Sequence, residues 1–165
     1  MLTRSEPSTR DVLANLRICI AVAQRAKAEG RHPFGCILVG PSGEVLLEQG
    51  NVDTFNHAES TLCREAFRRF GPEFLWNCTL YTTFEPCCMC AGSAYWANIG
   101  QIVYGVAETR LLEVTGAAEE NMTMSLSCRE VIEAGQKPIR VVGPVAELEA
   151  EILHDHQGFW RSDNK

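Results

Sequence analysis

Two short runs, His57-Ala58-Glu59 and Pro86-Cys87-Cys88-Met89-Cys90, most constrain what this chain can fold into. They offer an imidazole and a pair of thiols spaced three residues apart, which are side chains that zinc prefers as ligands. A structural zinc site usually has four protein ligands, whereas a catalytic site has three and keeps one position open for water. The two runs therefore predict a fold that brings them together around one Zn²⁺ ion per chain, with a position left open.

The cysteine run is predicted to open a helix. Residues at i and i+3 share a helix face, so both Cys87 and Cys90 can reach one ion. Pro86 is tolerated in a first turn, where its missing N–H would have no partner in any case. Free N–H groups and the helix dipole at this end favour the thiolate form of cysteine.

The histidine run is predicted to open a second helix. Because residues two apart do not share a helix face, His57 and Glu59 can address one site only from an irregular first turn. The unpaired N–H of Ala58 is then also available to bind a substrate oxygen. We therefore expect two helix N-termini to converge on one metal ion.

Glu59 is the predicted catalytic residue. Zinc lowers the pKa of a bound water to about 7, and a carboxylate beside the metal but not bound to it can accept and return the proton. The alternative is a structural zinc closed by a fourth cysteine such as Cys88. Since adjacent helical positions diverge, we expect Cys88 to point away from the metal.

Size and composition predict a single domain over residues 1–165, located in the cytoplasm. No apolar run reaches the ~18 residues of a membrane span, and the polar residues 1–10 show no signal peptide. The cysteines are therefore expected to be reduced rather than paired in disulfides. Four of them lie in apolar patterns and are predicted to be packed core thiols: Cys19, Cys36, Cys63 and Cys78.

The net charge of −6 and the sequence pI of about 5.2 favour a small-molecule substrate over nucleic acid. The nearest approach to a basic patch is Arg64, Arg68 and Arg69, which we interpret as a solvated helix face. Near the C-terminus, His154 and His156 are predicted to be surface histidines, and His32 is predicted to lie in a solvated loop.

Periodicity predicts alternating helices and strands. The predicted helices are 11–29, 57–70, 86–98, 108–114 and 145–156, and the predicted strands are 34–39, 44–48, 79–84, 101–106 and 139–142. The segments 51–56 and 116–128 are predicted loops. The first two strands should form a hairpin around Pro41-Ser42-Gly43, and the alternation that follows indicates an α/β fold with helices on both faces of one sheet.

At these residues the chain resembles the cytidine deaminase superfamily, whose zinc signature is H-x-E…P-C-x-x-C. The resemblance extends from Pro33-Phe34-Gly35 to the C-terminal helix. It implies a three-layer α/β/α fold with a mixed five-stranded sheet, in which His57, Cys87 and Cys90 hold zinc and Glu59 shuttles protons. The run Cys87 to Gly92 and the following Ile102 to Gly105 resemble the branch of guanine deaminases, yeast-type cytosine deaminases and tRNA adenosine deaminases.

The same resemblance implies a substrate pocket and a homodimer. Asn51 would hold the base edge and Phe34 would pack on the base, while backbone groups of Ala58, Glu85 and Cys87 would meet substrate or leaving ammonia. Trp96, in a Tyr95-Trp96 pair similar to that of guanine deaminases, and Phe159, in a C-terminal aromatic segment, are further predicted substrate contacts. An acidic residue after the fourth strand reads the purine edge in guanine deaminases, and the candidates here are Glu113, Glu119 and Glu120.

The leading hypothesis is hydrolytic deamination of a nucleobase or nucleoside, with a guanine-type purine as the favoured substrate. The alternatives are cytosine-type deamination, editing of adenosine in tRNA, and a zinc-stabilised binding module without turnover. The acidic charge argues against the tRNA alternative. The presence of Glu59 argues against a binding module, since a structural zinc site has no use for a free carboxylate.

Overall fold

A computed structural model describes residues 5–116 and 118–160. Five strands form one mixed sheet in the order β2-β1-β3-β4-β5. The strands are β1 (Gly35–Val39), β2 (Val45–Gly50), β3 (Thr79–Phe84), β4 (Gln101–Val106) and β5 (Arg140–Val142). The helices are α1 (Thr9–Ala28), α2 (Ala58–Leu75), α3 (Cys88–Ala97), α4 (Glu108–Thr115), α5 (Cys128–Glu133) and α6 (Glu149–His154), with 3₁₀ turns at Glu119–Asn121 and Ala146–Leu148.

Strand pairing confirms the predicted hairpin and the predicted mixed sheet. β1 pairs antiparallel with β2 across the Pro41-Ser42-Gly43 turn, where Gly43 has a φ of 85°. β1 also pairs antiparallel with β3, whereas β3, β4 and β5 are mutually parallel. The parallel crossovers predicted from helix–strand alternation are therefore limited to the second half of the sheet.

The three central strands, β1, β3 and β4, are buried on both faces, as expected for a sheet that helices cover on both sides. Alternate residues pack into two separate cores. One core joins the sheet to α1, α4 and α6 through Ile37, Tyr81 and Val103, and the other joins it to α2, α3 and α5 through Leu38, Leu80 and Ile102. This is the predicted three-layer α/β/α arrangement.

Five details differ from the sequence predictions. The predicted helix 145–156 is a 3₁₀ turn followed by the short α6, and the predicted loop 116–128 contains a 3₁₀ turn. α5 follows that loop and was not predicted, because six residues are too few to show helical periodicity. α3 begins at Cys88, so Pro86 precedes the helix instead of lying in its first turn. α2 continues beyond its predicted end at residue 70, after a break at Gly71.

The parallel pair β3 and β4 positions the site. Parallel strands end at the same edge of a sheet, and ligands bind at that edge in open α/β folds. Here the segment from Glu85 to Cys87 follows β3, and Glu108 follows β4. Within the described residues, no helix is both long and apolar enough to cross a membrane.

Candidate metal centre and adjoining cavity

Three potential metal ligands meet where α2 and α3 begin. The ligand atoms of His57, Cys87 and Cys90 all lie within 4.8 Å of one another. The Nδ1 atom of His57 is 3.5 Å from the Cys87 sulfur and 3.6 Å from the Cys90 sulfur. In a tetrahedral zinc site, bonds of about 2.0 Å to nitrogen and about 2.3 Å to sulfur place these atoms about 3.5 Å apart. The two nitrogen–sulfur distances therefore match those of a tetrahedral zinc site.

The His57 ring is oriented by its second nitrogen. Nε2 lies 3.0 Å from the Thr54 carbonyl oxygen, which can only accept a hydrogen bond. Nε2 therefore carries a proton, and Nδ1 faces the two thiols. A hydrogen bond of this kind is how metal-bound histidines are commonly held in the correct tautomer.

The two thiols and the imidazole share protons where two helices begin. His57 is the N-cap of α2 and Cys87 is the N-cap of α3. Hydrogen bonds from Cys90 and His57 lower the pKa of Cys87 to about 4, and the contact with Cys87 raises the pKa of His57 to about 9. The pKa of Cys90 is raised because its thiol donates to Cys87 and is buried. These shared protons are the ones that a metal cation displaces.

Cys88 points away from the cluster, as predicted. Its sulfur lies 3.6 Å from the Met124 sulfur and is not part of the ligand group. The described residues therefore place three ligands, and not four, at the centre. This is the ligand count of a catalytic zinc site.

Glu59 lies in the first turn of α2 and is only 6% exposed. Its Oε1 atom is 2.6 Å from the Thr82 hydroxyl, and it is outside the ligand group. Burial raises the pKa of Glu59 above its usual value. The Thr82 hydroxyl can donate to a carboxylate or accept from a carboxylic acid, so this contact is compatible with both protonation states.

A small cavity of about 40 Å³ adjoins the cluster. Its wall contains six of the predicted site residues: Phe34, Asn51, His57, Glu59, Glu85 and Cys87. It also contains the half-buried His32, which was predicted to lie in a solvated loop. Within this wall the Asn51 amide nitrogen donates to the Asp53 carbonyl oxygen over 3.2 Å, and the Phe34 ring packs edge-on against Phe84. The two runs of the sequence are thus brought to one enclosed space.

The backbone of Glu85 was predicted to meet the substrate, whereas its side chain binds the protein itself. Its two carboxylate oxygens accept hydrogen bonds from the backbone N–H groups of Glu108, at 3.0 Å, and Cys128, at 2.9 Å. These residues begin α4 and α5. Glu85 thereby ties the end of β3 to two neighbouring helices.

Three predicted substrate contacts lie outside the cavity wall. Ala58 is buried between His57 and Glu59 in the first turn of α2. Trp96 is 76% exposed and lines a separate groove formed with α2. Phe159 packs edge-on against His32, which does line the cavity. The substrate roles of these residues stay predictions.

Glu108 is the acidic residue that the sequence analysis missed. It lines the cavity, is 6% exposed, and its Oε2 atom has no hydrogen-bond partner among the described residues. Burial raises its pKa to about 8. The three candidates considered from the sequence, Glu113, Glu119 and Glu120, are all exposed. The available signal was position, since only Ala107 separates Glu108 from the carboxyl end of β4.

The prediction of a surface position for His156 was wrong, whereas His154 is exposed as predicted. His156 is only 2% exposed because the chain after α6 folds back against the loop before β1. Its Nε2 lies 3.0 Å from the Pro33 carbonyl oxygen, and its Nδ1 lies 2.9 Å from the Trp160 indole nitrogen. Sequence periodicity could not reveal this, because the burial depends on a contact between distant segments.

We expect burial of His156 to make the folded chain less stable in mild acid. Burial is the main cause that lowers its pKa to about 4; Lys27 and His32 add to this effect, and the Pro33 carbonyl opposes it. The ordinary value is about 6.5, so the unfolded chain binds more protons between these two pH values. The free energy of unfolding should therefore fall by about 3 kcal/mol as the pH decreases from about 6.5 to about 4.

The measurement is urea unfolding of the wild type and of His156→Gln at several pH values in this range. The variant keeps one donor and one acceptor but cannot titrate. Its free energy of unfolding should therefore fall by about 3 kcal/mol less than that of the wild type over this pH range. Protonation of the metal ligands affects both proteins alike and cancels in the comparison. Parallel curves for the two proteins would contradict the prediction.

The chain is similar in sequence to known zinc-binding deaminases. A family model described as the cytidine and deoxycytidylate deaminase zinc-binding region matches residues 10–106. The chain is 38% identical over 163 residues to a Schizosaccharomyces pombe protein named "Probable cytosine deaminase", and the match covers 96% of this chain and 98% of that one.

Two further relatives have other named substrates. A guanine deaminase of Bacillus subtilis is 37% identical over 103 residues, which cover 60% of this chain and 62% of that protein. A solved structure from studies of A-to-I editing by tRNA wobble-position deaminases is 29% identical with a TM-score of 0.64, and the match covers 86% of this chain and 99% of that one. The printed names of these relatives therefore share deamination but differ in substrate.

Proposed function

This chain belongs to the cytidine and deoxycytidylate deaminase family of zinc-binding hydrolases that act on C–N bonds, and we propose that its substrate is a free nucleobase of the cytosine type. The observation that carries the proposal is the size of the cavity beside Glu59. At about 40 Å³ the cavity is small, which favours a base with a single ring over one with two fused rings.

The match with the Schizosaccharomyces pombe protein supports this choice, because it extends over nearly the whole of both chains. The guanine-type purine favoured in the sequence analysis is the second candidate. Glu108 favours it, since this residue lines the cavity and its Oε2 atom, which has no hydrogen-bond partner among the described residues, could bind a ring N–H or an amino group. The partial match with a guanine deaminase also supports it.

In the proposed reaction, His57, Cys87 and Cys90 hold the metal. Zinc with three protein ligands supplies a Lewis acid and lowers the pKa of water to about 7. Glu59 accepts a proton from the water that attacks the amine-bearing carbon, and delivers it to the adjacent ring nitrogen. A second proton transfer through Glu59 lets the amine leave as ammonia, and the carbon keeps the oxygen of the water.

The remaining wall residues would hold the base. The Asn51 amide nitrogen is directed at Asp53, which leaves its carbonyl oxygen to accept from a ring N–H. Phe34 would pack on the ring, and the buried Glu108 would contact a polar edge of the base. Each oxygen of the Glu85 carboxylate accepts a hydrogen bond from a backbone N–H, and the backbone of Glu85 would meet the substrate, as was predicted from the sequence.

The experiment that tests this proposal is ammonia release by the zinc-loaded chain from cytosine, guanine, adenine and their nucleosides, and from a tRNA anticodon hairpin. We expect the highest kcat/KM with cytosine. Preference for guanine would establish the second candidate. Activity with the hairpin alone would establish tRNA editing, against which the net charge of −6 argues. No ammonia from any compound would leave a zinc-stabilised binding module.

We also propose that the chain forms a homodimer through a second site. A groove of about 930 Å³ between α2 and α3 is lined by the exposed rings of Phe67 and Trp96. The same groove carries Arg64, Arg68, Glu48 and Glu65. Charges of both signs around an apolar centre suit a two-fold interface, in which the same patch meets itself.

We expect Trp96→Glu to dissociate this dimer, because it places a charge at the centre of the apolar patch. Sedimentation velocity at micromolar concentrations should give a monomer for the variant and a dimer for the wild type. Leu112→Glu is the control, since Leu112 is an exposed apolar residue on α4 outside the groove. An unchanged dimer in Trp96→Glu would show that the interface lies elsewhere.

A further inference from the structure

We propose that His156 is a positioning residue for the base cavity. It holds Phe34, in the cavity wall, and the C-terminal aromatic pair Phe159 and Trp160 in place. This inference rests on the proposed function, because the effect it predicts is on binding of the base. His156 is remote in sequence from the metal ligands and from Glu59, and it does not line the cavity itself. It would act through the rings that do.

The hydrogen bonds of His156 define a single form of its ring. The Pro33 carbonyl can only accept, so Nε2 must donate to it. The indole N–H of Trp160 can only donate, so Nδ1 must accept from it. Only the neutral imidazole with its proton on Nε2 satisfies both partners. One side chain thereby connects the loop before β1 with the end of the described chain.

The imidazole packs directly behind the cavity wall. Its centroid lies 4.7 Å from the Phe84 ring and 5.3 Å from the Phe34 ring. Both of these rings line the cavity. The hydrogen bond to Pro33 also restrains the residue just before Phe34. Loss of His156 would therefore remove a restraint on the backbone before Phe34 and a packing contact of the Phe34 ring.

The second partner, Trp160, contacts a residue of the cavity wall, His32. The Trp160 ring centroid lies 4.8 Å from that of His32. The Phe159 ring packs edge-on against His32, with 5.9 Å between the ring centroids. His32 lines the cavity. The Lys27 ammonium donates to the Asp155 carbonyl oxygen over 2.6 Å and helps to hold the start of this segment. The contacts thus run without a gap from His156 through Trp160 and His32 to the base site.

The test compares variants that differ in hydrogen bonding. His156→Gln can replace one donor and one acceptor, His156→Leu fills the space with neither, and Trp160→Phe keeps a ring without the indole N–H. We expect His156→Leu and Trp160→Phe to raise KM for the preferred base about tenfold, the effect of about one buried hydrogen bond. We expect kcat and zinc content to change little, and His156→Gln to restore KM to within about threefold of wild type.

A second readout does not depend on turnover. In ¹H–¹⁵N spectra, Trp160→Phe identifies the Trp160 indole resonance by its disappearance. That resonance should be protected from solvent exchange in the wild type and in His156→Gln, and exposed in His156→Leu. His154→Leu is the matched control, because His154 is an exposed histidine on the same segment, and it should change neither readout.

Unchanged KM in both His156→Leu and Trp160→Phe would overturn the proposal. Equal damage in His156→Gln and His156→Leu, with kcat and zinc content falling together, would assign His156 a purely structural role and would overturn it as well. If His156→Leu fails to fold, Trp160→Phe and His156→Gln decide. A wild type that releases no ammonia from any base would defeat the proposed function. Solvent exchange of the Trp160 indole resonance would then test by itself whether His156 holds Trp160 in place.

Discussion

Glu59→Gln is expected to lower kcat for the preferred base by about 100- to 10,000-fold, the usual contribution of a general acid–base residue. The amide has nearly the same shape as the carboxyl group but cannot carry a proton between water and the base. The Thr82 hydroxyl, 2.6 Å from Oε1 in the wild type, can still donate to the amide oxygen. The variant should therefore fold and should bind one zinc ion, since Glu59 is outside the ligand group.

The measurement is steady-state ammonia release together with elemental analysis for zinc. Glu73→Gln is the matched control, because Glu73 is an exposed glutamate on the same helix. It should leave both quantities unchanged. More than about a tenth of wild-type activity in Glu59→Gln would contradict the assignment of the proton-transfer role, whereas loss of zinc would show that Glu59 contributes to the metal site.

The parts of the fold that were predicted correctly are those encoded over short sequence distances. Hydrophobic runs bounded by turn residues defined all five strands, and Pro41-Ser42-Gly43 located the hairpin. Spacing alone brought Cys87 and Cys90 together, because residues three apart at the start of a helix face the same way. Periodicity alone could not predict that the run His57 to Glu59 meets the run Pro86 to Cys90. That prediction also required the known preference of zinc for histidine and cysteine ligands.

The parts that were missed depend on contacts between distant segments. α5 is too short to show periodicity, and its first N–H is bound by the Glu85 carboxylate, 43 positions earlier in the chain. His156 is buried by the loop that contains Pro33. Glu108 faces the cavity because β4 ends beside β3, which is a property of strand order. Periodicity within a helix or strand carries no information about any of these contacts.

Cys90→Ser is expected to remove the metal, and Cys88→Ser is expected to leave it in place. The Cys90 sulfur is buried and lies 3.6 Å from the Nδ1 atom of His57, in the position of a ligand. A serine hydroxyl is a poor zinc ligand at neutral pH, because it stays protonated and lacks the soft sulfur donor. Zinc in the purified variant should fall from about one ion per chain to below about a tenth.

Turnover should fall with the metal, and added Zn²⁺ should not restore it. In the wild type, by contrast, chelation should abolish activity and Zn²⁺ should restore it. Cys88→Ser tests the ligand count, since Cys88 is the neighbouring thiol and its sulfur contacts Met124 instead of the cluster. Equal zinc loss in both variants would mean a closed four-ligand site, which has no open position for water and would exclude the proposed deamination.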